Sequence, residues 1–491
     1  MESFKLVMPV VSLSVLGLGL LMLTSFAKVR DSLFGKLSLL GTVLLGGYPV
    51  LFLYSRGGAV SSAAMLSWDS LGLFFYLVCL AASLAAIALI PGYFSFKEVP
   101  GRQEAYPLIV FALTGMVVMA SANHFLMFLL GLEMMSLCFY VLAGILREQE
   151  YAVESSLKYF ILGVFSSSLL ILGMGFIYGS TGELSYARIF DAMLTGDFRF
   201  GEPMVLLGFV LLLAGLFFKL SLVPFHFWAP DVYQGAPTPV TALLSVGGKA
   251  AALAATMRLF LEVICGSELL SRKWFALFAI LGIVTVFTGS LIALTQSRFK
   301  RLLAYSSIVH AGFLALGIAA MAGGGGISPK AVQALGFYAA AYLFMNVSAF
   351  VCAQAIEKRS RMDEELSSLS GLGSTSPVFA ALLSLNFLSL AGIPLTAGFL
   401  GKFYIFSALV EQGTKPFYWI AALGLLGAVI ATFYYLKVLV ILYFPSKEQI
   451  PAPPPKMSPE SWAVLLICSF FTVLFGVFPG AVLALADIVT R

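Results

Sequence analysis

Four ionisable side chains stand where the surrounding sequence offers little but hydrocarbon. They are Glu133 in LLGLEMMSLCFYVLAG, Lys219 in LAGLFFKLSLVPFHFWAP, Lys249 in SVGGKAAALAA and Lys402 in LSLAGIPLTAGFLGKFYIF. An ammonium at the centre of a bilayer costs roughly 2.5–3.5 kcal/mol on insertion scales, so such a group faces a bundle interior or a hydrated path. Lysine suits proton exchange because desolvation and neighbouring charge shift its proton affinity readily, whereas arginine stays protonated. A carboxylate paired with one of the lysines would set that affinity, and Glu133 with Lys219 is the pair expected here. The chemistry is proton transfer between buried bases.

Other residues could join this line, each with a plainer reading beside it. Lys158 lies four residues after Glu154, the spacing of an ordinary surface ion pair on a helix. His310, in YSSIVHAGF, could link the central lysines because its proton affinity lies nearest neutrality, or it is a satisfied core histidine. Lys437 could extend the line or snorkel to the membrane surface. His226 and Asp231, in PFHFWAPDVYQGAPTP, are structural or gate an exit. Asp69 reads as a helix N-cap.

The elements that must hold these groups are membrane helices. The chain is 60% hydrophobic and 11% charged, against about 25% charged in soluble domains. A net charge of +5 gives no dense basic patch for nucleic acid. The five cysteines are isolated and the three histidines dispersed, which speaks against a disulfide framework, a metal centre or an iron–sulfur cluster. About 20 apolar residues cross a bilayer core. That rule gives fourteen spans: 5–27, 36–54, 70–92, 106–122, 125–146, 157–180, 203–223, 237–264, 275–294, 302–321, 332–356, 377–409, 417–444 and 461–485. The expected fold is an all-α polytopic membrane protein forming a single transmembrane domain. The longest connections include Thr181–Glu202, Glu357–Ser376 and the proline-rich Pro445–Glu460.

Two spans are broken. Pro224 withdraws the N–H that would bond the carbonyl of Leu220, just past Lys219, and Pro394 interrupts span 12 eight residues before Lys402. Five spans separate these breaks, and an odd offset turns corresponding helices over. The pattern is that of two inverted five-helix repeats, spans 4–8 and 9–13, although lysine and proline come in opposite order. On this reading 1–105 holds spans 1–3, 106–265 the first repeat, 275–444 the second and 461–485 span 14. Lys and Arg concentrate in the connections after odd-numbered spans, which places those loops in the cytoplasm and both termini outside.

The motifs LLGLEMMSLCFYVLAG, ESSLKYFILGVFSSSLLILGMGFIYG and LAGLFFKLSLVPFHFWAPDVYQGAPTPVTALLSVGGKAA strongly resemble the antiporter-like proton-channel family of respiratory complex I (NADH–quinone oxidoreductase), in its subunit N branch. The resemblance runs over essentially the whole chain. It implies fourteen helices with discontinuous helices 7 and 12. The family's glutamate of helix 5 falls on Glu133, and its lysines of helices 7, 8 and 12 fall on Lys219, Lys249 and Lys402. Lys158 matches the lysine opening helix 6, and His310 falls in the helix 10 histidine region. The resemblance further implies a translocase subunit of a respiratory chain in the bacterial cell (inner) membrane, with no redox catalysis in this chain. Cofactors would be absent from it; NADH, FMN, iron–sulfur clusters and quinone would belong to partner subunits, both membrane and peripheral. The buried lysines alone would equally serve a subunit of a multisubunit Na+/H+ antiporter.

Overall fold

The computed structural model describes residues 2–26, 30–54, 65–97, 102–196, 198–264, 268–321, 327–357, 365–445, 454–480 and 482–483. Among these residues every regular element is a helix, and extended pairing is confined to three isolated bridges. Twelve of the helices are long and apolar enough to cross a membrane, and they fall on spans 1–3, 5–11, 13 and 14. The remaining two spans come in shorter pieces. Ala105–Ser121 is span 4, and span 12 is divided into Pro377–Ala391 and Ala397–Glu411.

Several helix ends depart from the hydropathy limits for local chemical reasons. Span 6 begins at Glu150, two turns before its apolar run. Glu150 favours the positive helix start, and Glu154 pairs with Lys158 at 2.7 Å. Span 14 stops at Val477, well before residue 485, because Phe478 precedes Pro479 and leaves the helical region at φ −124°, ψ 72°. Residues 484–485 of that expected span, and 446–453 of the proline-rich connection, lie outside the described residues. The connection Thr181–Glu202 carries a helix of its own, Tyr186–Thr195. It buries Tyr186, Ile189 and Met193, one stripe at helical spacing.

Helix pairing repeats along the chain. Spans 4 and 5 cross through Gly115 and Gly131, so closely that a Cβ on Gly115 would lie 2.5 Å from Met135 N and one on Gly131 2.5 Å from Met119 N. Spans 9 and 10 cross in the same way where Gly282 meets Gly312. The bridge His124–Ser185 ties the start of span 5 to the connection after span 6; Arg298–Glu365 ties the start of span 10 to the connection after span 11. Both correspondences are displaced by five spans, so spans 9–13 repeat spans 4–8 upside down. Spans 8, 10 and 11 are almost wholly buried and form the centre, as expected of helices apolar on all sides.

Spans 1–3 are joined to this body by a buried charge. Asp69 caps span 3, accepting from Gly72 N at 2.8 Å, and also receives two hydrogen bonds from Arg258 at 2.8 and 2.6 Å. Arg258 is 1% exposed and reaches Ala120 O at 3.2 Å and Glu262 at 2.5 Å as well.

Replacing Gly131 by leucine should force spans 4 and 5 apart, at a cost of roughly 1–3 kcal/mol for overpacking. Thermal unfolding in detergent should show a lowered midpoint. An unchanged midpoint would mean that the crossing can open without loss.

Candidate proton-transfer site

The two broken spans supply the site's first feature, helix ends whose carbonyls have lost their regular helical partners. The first half of span 7, Glu202–Leu220, ends where Ser221 turns left-handed at φ +62°. The amides of Ser221 and Leu222 fold back onto Phe218 O and Phe217 O at 3.0 and 2.9 Å, a crossed closure typical of helix C-termini. The peptide Val223–Pro224 is cis. From the second half, Trp228–Gly235, the indole of Trp228 also donates to Phe218 O at 2.9 Å.

Lys219 lies in that last turn, 5% exposed, where the negative end of the helix dipole favours a cation. Its ammonium donates to Ser136 Oγ at 2.8 Å and lies 5.4–5.9 Å from the ring centroids of Phe218, Tyr140 and Tyr159. Glu133 stands one turn before Ser136 on span 5 and within electrostatic reach of Lys219. The ammonium's hydrogen bond goes to Ser136, and the expected pairing of Glu133 with Lys219 acts through space. Glu133 Oε1 is buried and accepts no hydrogen bond from the described residues.

Span 12 uses the same device in the opposite order. Pro377–Ala391 ends at Gly392, φ +91°, and the amides of Gly392 and Ile393 both return to Leu388 O at 3.0 Å. The carbonyls of Leu390 and Ala391 are met by Lys402, which reaches back from Ala397–Glu411 with 2.8 Å to each. Lys402 is 6% exposed.

Between the breaks, span 8 contains one turn of π-helix, Leu244–Gly248, directly before Lys249. Such bulges recur at functional positions. Lys249 is 2% exposed and donates to Ser307 O at 2.9 Å and Ser307 Oγ at 2.5 Å. Tyr342 also donates to Ser307 Oγ at 2.9 Å, and Tyr233 OH lies 3.3 Å from it. One turn further along span 10, His310 holds Tyr338 OH at 2.6 Å through Nδ1 and Tyr435 OH at 3.1 Å through Nε2. Tyr435 OH in turn meets Ser306 Oγ at 2.5 Å. Lys249 and Lys402 both lie within electrostatic reach of His310. The structure thus brings Lys249, His310 and Lys402 together along one polar face of span 10. Reading single charged residues passes over the serines and tyrosines that connect them. Their available signals were the Ser306–Ser307 pair beside His310 and the four-residue spacing of Tyr338 and Tyr342.

The remaining candidates lie apart from that buried line. Lys158 is held by Glu154 and, at 2.9 Å, by Asp231, which also pairs with Arg301 at 3.1 Å; these groups line an open cleft with Tyr151, Gln234 and Arg298. Lys437 is exposed and donates to Leu294 O and Gln296 O at 3.2 and 3.3 Å, at the C-terminus of span 9. His226 is buried in the break of span 7 against Phe227, and its Nδ1 has no partner among the described residues.

This combination of inverted repeats, two broken spans and a buried line of bases defines a membrane ion-translocating fold. The family profile described as "NADH:quinone oxidoreductase/Mrp antiporter, TM" matches residues 122–431. NADH-quinone oxidoreductase subunit N of Trichlorobacter lovleyi is 38% identical over 91% of this chain and 89% of its own. That of Granulibacter bethesdensis is 35% identical over 100% of this chain and 99% of its own. A chain of respiratory complex I from Thermus thermophilus superposes with a TM-score of 0.79 at 31% identity, covering 98% of this chain and 100% of that one. A chain of the Mrp complex from a Dietzia species shares the fold, with a TM-score of 0.83 at 20% identity. The chain belongs to the NADH-quinone oxidoreductase subunit N family.

Gly392→Ala tests the placement of Lys402. The added Cβ would lie 3.1 Å from Lys402 Cδ and 3.2 Å from Nζ, and a left-handed residue bearing a Cβ costs about 1–2 kcal/mol. Proton translocation by the assembled complex should fall together with the thermal midpoint. Full translocation would show that the carbonyl cradle is dispensable.

Proposed function

We propose that this chain is a proton-translocating membrane subunit of an NADH–quinone oxidoreductase. Electron transfer to quinone, and the NADH, FMN and iron–sulfur groups that carry it, belong to partner membrane and peripheral subunits. The observation that carries this reading is the series of buried bases, Lys219, Lys249, His310 and Lys402, each with polar partners and spread over both repeats. A change at Glu133 driven from the partner subunits alters how strongly Lys219 holds its proton. The proton then passes from Lys219 to Lys249, along the Ser307–His310 face and on to Lys402. Moving one charge against 100 mV costs about 2.3 kcal/mol, so the chain pumps only with energy supplied by the partners. The bias of Lys and Arg supports an orientation in the bacterial inner membrane with both termini on the periplasmic side and the odd-numbered loops in the cytoplasm.

Lys219→Arg keeps the charge but cannot give up the proton. In an assembled complex in vesicles it should lower the protons moved per electron and slow coupled quinone reduction roughly tenfold, the effect of about 1.4 kcal/mol in a barrier. Full assembly with unchanged pumping would remove Lys219 from the relay. Sodium-dependent proton exchange in vesicles without an electron donor would favour a Na+/H+ antiporter subunit instead.

A further inference from the structure

A second charged cluster lies at the end of span 11, away from the line of lysines. Glu357, 6% exposed, approaches Lys300, 2% exposed, at 3.8 Å. Tyr93 OH donates to Glu357 Oε1 at 2.9 Å and Thr238 Oγ1 donates to Oε2. Lys300 also donates to Ala236 O at 2.9 Å. The cluster therefore draws on spans 3, 8, 10 and 11 and on the connection that opens span 8. Withdrawing two charges from water costs several kcal/mol per ion, and a packed apolar pair would tie the same helices as well. An ionisable group kept inside a membrane domain is a functional candidate for that reason.

Polar groups lead from Glu357 toward Lys249. On span 8, Thr238 touches Glu357, and Ser245 lies one turn before Lys249. On span 11, Asn346 Nδ2 donates to Ser245 Oγ at 2.7 Å, and Tyr342 ends on the hydroxyl of Ser307 that Lys249 also holds. Gln354 lies one turn before Glu357, its Nε2 donating to Leu89 O at 3.2 Å. Gln354 Oε1 and Asn346 Oδ1 are buried and accept no hydrogen bond from the described residues. Leaving a buried acceptor unsatisfied is costly, and groups of this kind hold internal water. Two such acceptors stand in series on one helix between a buried acid and the central lysine. Both are acceptors to which internal water can hydrogen-bond.

We propose that Glu357 is, besides Lys219, a group through which Lys249 is loaded with protons from the side of the membrane on which span 11 ends, with Lys300 as its counter-ion. The carboxylate takes a proton from water on that side. Once Lys249 has passed its own proton toward His310, Glu357 releases its proton to water at Gln354 and Asn346. The neutral amine of Lys249 takes up a proton from the same water chain, and Glu357 returns to the carboxylate. Only O–H and N–H bonds form and break, and charge is conserved at each transfer. The inference rests on the reading under Proposed function, which makes that side the cytoplasm.

The test uses the whole complex reconstituted in vesicles, with assembly, quinone reduction and protons moved per electron measured on the same sample. Glu357→Gln keeps an acceptor oxygen for Tyr93, turns an N–H donor toward the Thr238 hydroxyl, and cannot carry a proton. It should assemble, lower the protons per electron and slow coupled turnover ~tenfold, with Glu357→Asp restoring most of both. Gln354→Met leaves Glu357 in place and removes the side-chain amide, both the acceptor and the hydrogen bond to Leu89 O, and it should lower protons per electron at normal assembly. A normal proton-to-electron ratio in either variant, or loss of assembly in both, overturns the proposal and leaves the cluster a structural tie. Lys219→Arg in the same preparation separates the two readings: normal pumping there contradicts the subunit's proposed function, whereas a defect there beside a normal Glu357→Gln contradicts the loading role alone.

Discussion

An ammonium inside hydrocarbon must be met by oxygen atoms, and an unbroken helix has few to lend because its carbonyls are bonded to its own amides. Much of the architecture answers that constraint. Lys219 sits in a last helical turn and finds the hydroxyl of Ser136; Lys249 follows a π-helical turn and finds both oxygens of Ser307; Lys402 reaches back across a break to two carbonyls. Each lysine stands at an irregularity in its own span. The glycines and prolines of these segments bend or end the helices where charge must be accommodated.

The repeat gives this device two orientations. In span 7 the lysine precedes the break, and in span 12 it follows it. Because the second repeat is also turned over, the two reversals cancel, and both lysines lie on the same membrane side of their breaks. Span 10 lies between them, and its polar face presents His310, Ser306 and Ser307. The groups that trade protons thus alternate with groups that connect them.

The membrane character, the spans, the two breaks and the four principal ionisable residues were legible in the sequence because a charge or a proline in a long apolar run has few cheap explanations. Helix ends at Glu150 and Val477 escaped a hydropathy reading, since ion pairing extends a helix beyond its apolar run and Phe478 before Pro479 cuts one short. The links were less legible. Ser136, Ser307, Tyr338 and Tyr435 are of types common in any membrane helix, and their roles depend on contacts between distant spans. The pairing of Glu133 with Lys219 shows the same limit, because residue types reveal the charge partner but not that Ser136, one turn along, takes the ammonium's hydrogen bond. Lys158 and Lys437 fit the plainer reading each carried: Lys158 pairs with Glu154 beside an open cleft, and Lys437 reaches carbonyls at a helix end.

The hydroxyl of Ser307 has one hydrogen and two lone pairs. With Lys249 and Tyr342 both donating to it, its own hydrogen is left for Tyr233. A row of hydroxyls arranged in this way has a polarity, like a line of arrows. A proton hopping along the row reverses each arrow it passes, and the next proton cannot follow in the same direction until the rotors swing back. Such a segment acts as a turnstile: it remembers that one proton has gone through, and the resetting of its hydroxyls separates one passage from the next.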